Sequence, residues 1–173
     1  MGENREEIRE RISGYAIENF KNGLNCSECV LEAFIRAGVL SLPPEAVALA
    51  TGFGGGLGLS GYTCGALSAA VLVNSAVHGR TNPYGVPAEQ RGREVAEKHY
   101  RRYNCLVHDF RLAHGGVLCR EISAPFDDWH SKERRKTCLK LIGAAAALAY
   151  DYLSMPQEEA FVLPYGPNMG GEA

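Results

Sequence analysis

The sequence predicts an all-α protein: a single-domain helical bundle of four to six helices, with a buried central helix of small residues and a Gly-rich loop leading into it. Three observations carry this. Apolar residues recur at three- and four-residue spacing through most of the chain, and strand-like alternation is almost absent. The segment 64–78 is small and apolar nearly all round, as a helix at the centre of a bundle is. The links between segments are short and marked by Gly, Pro and Asn. A length of 173 residues fits one domain. The helical domain is expected over residues 1–154 and an irregular Pro/Gly-rich tail over 155–173, free to lie on a neighbouring surface.

The first helix is expected from Glu6 to Lys21, with Ile8, Ile12, Tyr15 and Phe20 as its buried stripe and Gly23 as its stop. The second begins near Cys26 with Asn25 as N-cap. Cys26, Cys29, Val30, Ala33, Phe34 and Ala37 share its apolar face, and Gly38 ends it. Pro43-Pro44-Glu45 opens a short helix to about Thr51. The run from Gly52 to Gly61 is expected to be neither stable helix nor central strand, because each glycine loses much backbone entropy on ordering. Its use is positive φ and close backbone approach. Cys64-Gly65-Ala66 then leads into the central helix, which ends at His78 before Gly79. Asn82-Pro83-Tyr84-Gly85 is a turn. A long helix follows from Ala88 to Ala113, with Val95, His99, Tyr103, Leu106 and Phe110 inward, and Gly115-Gly116 breaks it. Cys119-Arg120-Glu121 opens a helical turn, and Asp127 and Asp128 sit in a loop as cap residues. The last helix is expected from Ser131 to Leu153, with Cys138, Leu141, Ile142, Ala145, Leu148 and Tyr152 inward.

The net charge is -2 and the pI about 6.2, so no basic excess calls for nucleic acid or an anionic membrane. The local run Lys132, Arg134, Arg135 and Lys136 reads as a solvated helix face. The longest apolar stretches, around 66–73 and 141–150, fall short of the roughly 20 residues a membrane span needs. The charged opening MGENREEIRERI lacks the apolar stretch of a secretory signal. A cytoplasmic location is therefore expected. A structural disulfide framework is not expected in that reducing compartment, so the six cysteines need another reading.

Cys26, Cys64 and Cys119 each fall at a predicted helix start, where free N–H groups and the helix dipole favour a thiolate. Cys138 falls inside the last helix on its apolar face, where it can look toward the other three. Four converging thiolates suit three chemistries: an iron–sulfur cluster with Gly54, Gly55, Gly56 and Gly65 lending N–H groups to its charge, metal-free dithiol–disulfide exchange, or structural zinc. The wide spacings match neither a ferredoxin run nor a paired zinc ribbon. Beside these stands plain core packing, the ordinary fate of a buried cysteine. It is the better reading for Cys29, which shares the stripe of Val30 and Ala33 and completes a CxxC with Cys26. Cys105 reads as an incidental surface thiol. The glycine run lacks the Lys-Ser/Thr of a P-loop and follows no strand, so no nucleotide is expected. The five histidines form no H-E-x-x-H motif; His99 reads as a core residue, and His108 and His114 lie too far apart in register to share a helix face.

Asn25-Cys26, Ala50-Thr51-Gly52-Phe53-Gly54-Gly55-Gly56, Thr63-Cys64-Gly65-Ala66, Val117-Leu118-Cys119-Arg120-Glu121 and Cys138 in a closing helix together resemble the C_GCAxxG_C_C family of small bacterial and archaeal proteins. The resemblance runs from about Gly23 to Tyr150. It implies a redox-active protein working through Cys26, Cys64, Cys119 and Cys138, in electron transfer or redox sensing, with the loop Gly54–Gly56 beside them. A related domain in a split-Soret multihaem cytochrome, where an iron–sulfur centre is implicated, extends the implication to a cluster. Cys29 and Cys105 lie outside the pattern. Two positions depart from it: Ala69 stands at the last glycine of the CGAxxG motif, and Leu59 where a basic residue is common. A redox partner is implied without being named, and a homodimer is expected of so glycine-rich and apolar a helical chain.

Overall fold

Two of the helices begin on the same four-residue signal. Asn4 and Glu7 form a capping box, with Asn4 Oδ1 accepting from the Glu7 amide at 3.0 Å and Glu7 Oε2 from the Asn4 amide at 2.8 Å. Asn25 and Glu28 repeat it. These boxes start α1 (Arg5–Lys21) and α2 (Cys26–Arg36). A 3-10 helix (Pro44–Phe53) follows, then α3 (Gly65–His78), α4 (Ala88–Glu94), a π-helical turn (Val95–His99), α5 (Tyr100–His114), α6 (Cys119–Ser123), α7 (Lys132–Leu153) and α8 (Gln157–Ala160). This computed structural model describes residues 4–170, so the extreme ends of the expected domain and tail, 1–3 and 171–173, lie outside the described residues. Among the described residues the β pairing is a single bridge, Thr63 with Leu118. The expected all-α bundle is the fold.

The core is formed where α1 packs on α7 and α2, and α3 packs on α2 and α7. Small residues set the spacing. Ala66, Ala69 and Ala70 of α3 and Ala145, Ala146 and Ala149 of α7 are fully buried, so the two backbones approach closely. Ala69, at the motif's glycine position, is one of these. A Cβ at Gly143 would meet Ile17 Cδ1 at 2.7 Å, so glycine there lets α1 lie against α7. No described helix is long and apolar enough to cross a membrane.

Three expectations change. The segment after Pro43 is 3-10 rather than α-helical and runs on to Phe53, beside the glycine loop. The long helix contains the π-turn, whose wider turn rotates the register that follows. Val95, His99 and Tyr103 are therefore only half-buried, while Arg102, Leu106 and Phe110 point inward. Arg102 is 2% exposed. Its guanidinium donates to the carbonyls of Tyr152, Met155 (2.9 Å) and Pro156 (3.4 Å), and to Gln157 Oε1 (3.2 Å), capping the end of α7 with positive charge. The tail lies along the chain's own α5. Arg101 donates to Leu163 O at 2.6 Å, and the Gly166 amide donates to Asn104 Oδ1 at 2.8 Å.

Candidate functional site

The four predicted cysteines line one cavity of about 500 Å³. Cys26 is the first residue of α2, placed by Asn25. The Asn25 side chain accepts from the Ser27 and Glu28 amides, each at 3.0 Å, and its Nδ2 donates to Thr51 O at 3.2 Å. One residue thus sets the start of α2 and ties it to the 3-10 helix that delivers the glycine loop.

The loop is a left-handed turn. Gly55, Gly56, Leu57, Gly58 and Leu59 all have φ between 60° and 70°. The turn is hydrogen-bonded: the Gly58 amide donates to Gly54 O, and the Tyr62 amide to Gly56 O at 3.0 Å. Glycine takes this conformation freely, whereas each leucine costs about 1–2 kcal/mol there. The expectation of positive φ in a segment that is neither stable helix nor strand is met, in the form of an ordered turn of left hand. The turn aims the Gly55 amide at the Cys26 sulfur. Side chains are excluded on its inner side, since a Cβ at Gly56 would lie 2.7 Å from Cys119 Cβ and 2.6 Å from Tyr62 O.

Cys64 is the N-cap residue of α3, and Cys119 opens α6. The bridge at Thr63 and Leu118 ties their approaches together. The Cys64 amide donates to Val117 O at 2.8 Å, and the Cys119 amide to Tyr62 O at 2.7 Å. Gly65 closes the packing: a Cβ there would lie 2.6 Å from Cys26 Sγ and 2.7 Å from Phe53 O. Cys138 comes from α7, on the wall formed with Arg134, Arg135, Leu141 and Ile142.

All six thiols are free. At Cys26 and Cys64 the acidity corrects the expectation from helix starts. Burial pushes the Cys26 thiol up despite the Gly55 amide, and the neighbouring Cys119 pushes it further. Burial and then Cys26 push Cys64 up to about 12, against the amides of Leu67 and Ala66. Burial also raises Cys138, with Arg134 opposing. The local amides are where the sequence placed them, but desolvation of a charged sulfur outweighs them. Among the described residues no three Cys, His, Asp or Glu side chains gather about one point as a single bound ion would require.

Other candidates sort themselves by position. Gly54, Gly55 and Gly58 line the cavity; Gly56 and Gly65 pack behind Cys119 and Cys26. Cys29 is fully buried in the core with its thiol against Leu24 O at 3.5 Å, as expected. Cys105 is half-buried beneath the tail, 3.3 Å from Pro164 O, rather than a surface thiol. His108 contacts Pro167 O at 2.6 Å and His114 lies against Phe110, and neither is among the residues lining the cavity. Asp128 accepts from the His130 amide at 2.9 Å, and Ser131 rather than either aspartate caps α7. Sequence reasoning missed Trp129 and His130 and assigned Arg134 and Arg135 to a solvated face; all four line the cavity. The available signal was spacing, since Arg134 and Arg135 precede Cys138 by four and three residues on one helix face.

Fold and site together define a small all-α protein built around a four-cysteine cavity. The chain belongs to the family described as "Putative redox-active protein (C_GCAxxG_C_C)", whose model matches residues 24–152, a span that contains the four cavity cysteines, and this supports a general redox role. Comparison with curated proteins and with solved structures gives no match.

Proposed function

We propose that the chain is an electron-transfer or redox-sensing protein whose four cysteines hold an iron–sulfur cluster. The observation that carries this is the gathering of four free thiols on the walls of one cavity, Cys64 and Cys119 buried and Cys26 and Cys138 half-buried. Burial favours the protonated form at Cys26, Cys64 and Cys138, and coordination to a metal removes such protons outright. Donors suited to cluster sulfurs are in place, in the Gly55 amide at Cys26 and the Leu67 and Ala66 amides at Cys64. A bound cluster would supply one-electron chemistry. The chain's own part is to bind it through Cys26, Cys64, Cys119 and Cys138, direct amides at its charge and exclude water through the apolar wall.

Metal-free dithiol exchange needs a thiolate near neutral pH. Burial works against that at Cys26, Cys64 and Cys138. Anaerobic purification with iron and sulfide assays tests the proposal. Iron and sulfide in matched amounts, with visible absorption that bleaches on reduction and is lost in Cys64→Ser, are expected. A colourless protein without either after reconstitution, losing two thiols reversibly on mild oxidation, would establish the disulfide chemistry instead.

A further inference from the structure

The charged side chains lining the cavity are of one sign. Arg134 and Arg135 line it together with His130, and the described lining contains no Asp, Glu or Lys. Arg134 is held by neutral partners. Its Nη1 donates to Trp129 O at 3.0 Å, its Nε to Ser123 Oγ at 3.3 Å, and its guanidinium stacks on the Trp129 ring at 3.2 Å. Arg135 lies 5.7 Å over the Phe20 ring and is exposed. Neither makes an ion pair within the described protein, unlike Arg9, Arg36, Arg80 and Arg93. A planar guanidinium fixed by stacking, with no carboxylate of its own, is preorganised for an incoming carboxylate. The rest of the lining is mostly apolar, with Phe20, Leu24, Leu59, Ile122 and Trp129 near the arginines and the glycine turn. A volume of about 500 Å³ lies within the range of small-molecule sites, roughly 300–1,000 Å³.

We infer that the cavity binds a small organic carboxylate, its acid group on Arg134 and Arg135 and its apolar body among Phe20, Leu59 and Trp129, next to Cys138. This rests on the reading of the same cavity as the redox centre and deepens it by naming the class of molecule admitted there. Apolar walls select an acid with a hydrocarbon body over a bare inorganic oxyanion, which would leave them unfilled.

Benzoate is a suitable probe, and Trp129 is the sole tryptophan, so its fluorescence reports on this site alone. Calorimetric titration of the full chain is expected to show saturable benzoate binding with a change in Trp129 emission. Benzamide and sulfate should bind at least tenfold more weakly. Arg135→Gln and Arg134→Lys should each weaken benzoate about tenfold or more, the loss of one charge-assisted contact. Arg120→Gln, whose arginine lies over Tyr62 outside the cavity, should leave it unchanged. Arg135 is exposed, so its variant reports on binding without unfolding the chain. Equal binding of benzamide or sulfate, or benzoate binding that ignores both cavity variants, overturns the inference. Titrating iron-loaded and iron-free protein separates the two readings. Benzoate binding by protein that never takes up iron removes the cluster alone, and a cluster-bearing protein indifferent to benzoate removes the carboxylate site alone.

Discussion

Gly65→Ala places one methyl group where the site is tightest. The new Cβ would sit 2.6 Å from Cys26 Sγ and 2.7 Å from Phe53 O, whereas ordinary contact begins at 3.4 Å. Both neighbours must retreat, and one of them is backbone. Overpacking of this kind costs about 1–3 kcal/mol. Against it stands the gain of alanine over glycine in a helix, at most about 1 kcal/mol and smaller at the first residue. A net loss of about 1–2 kcal/mol is expected. Gly14→Ala is the matched control. Gly14 lies exposed within α1 with nothing within 4 Å of its Cβ position, so that variant should gain about 0.5–1 kcal/mol. Urea midpoints of the reduced, metal-free proteins give both numbers. Peptide-resolved alkylation adds a local readout: the methyl group displaces the Cys26 sulfur, so Cys26 should react at a changed rate in Gly65→Ala only. If Gly65→Ala matches or exceeds wild type in stability with Cys26 reactivity unaltered, the close-approach reasoning fails.

Asn25→Ala removes both a capping box and the tie to Thr51; a loss of about 1–2 kcal/mol is expected in urea melts, with faster amide exchange at the start of α2, and no loss would refute the cap's role. Arg102→Leu leaves several carbonyls at the end of α7 without their donor and should lower stability by about 3 kcal/mol; limited proteolysis should then cut first after Leu153. Cys29 and Cys64 titrate near 12 in the fold against about 9 unfolded. Their burial therefore contributes fully below pH 9 and is lost as pH rises from about 9 toward 12, because the unfolded chain gives up its protons first. Urea midpoints of metal-free protein should fall across that window and fall less steeply in Cys29→Ala; equal slopes would contradict the assignment.

Much of this was legible in the chain. Helix starts at Asn4 and Asn25 follow from side chains that satisfy backbone amides within four residues, a local effect that sequence states directly. The cysteine positions on their helices follow for the same reason. The left-handed turn was half legible: glycine announces positive φ, but Leu57 and Leu59 do not, and they are held there by bonds across the turn. The π-turn at Val95–His99 carries no periodic signature, so the burial of Arg102 could not be read from an α-helical stripe. The acidity of Cys26 and Cys64 was misjudged because amides at a helix start are local, whereas desolvation depends on every element closing over the sulfur. Arg134 and Arg135 looked like a solvated face because the wall opposite them comes from Phe20 and the glycine turn, remote in sequence.

The Thr63–Leu118 bridge bears on the order in which the site is assembled. Its two ends are separated by α3, α4 and α5, so closing it spends chain entropy that is offset only when α3 has docked on α5 and α7. Cys26 takes its place through contacts near it in the chain; Cys64 and Cys119 become neighbours only at that closure, and Cys138 arrives with α7, later still in synthesis. A growing chain therefore carries scattered thiols and no receptacle. Any prosthetic group must be received by a fold that is nearly complete.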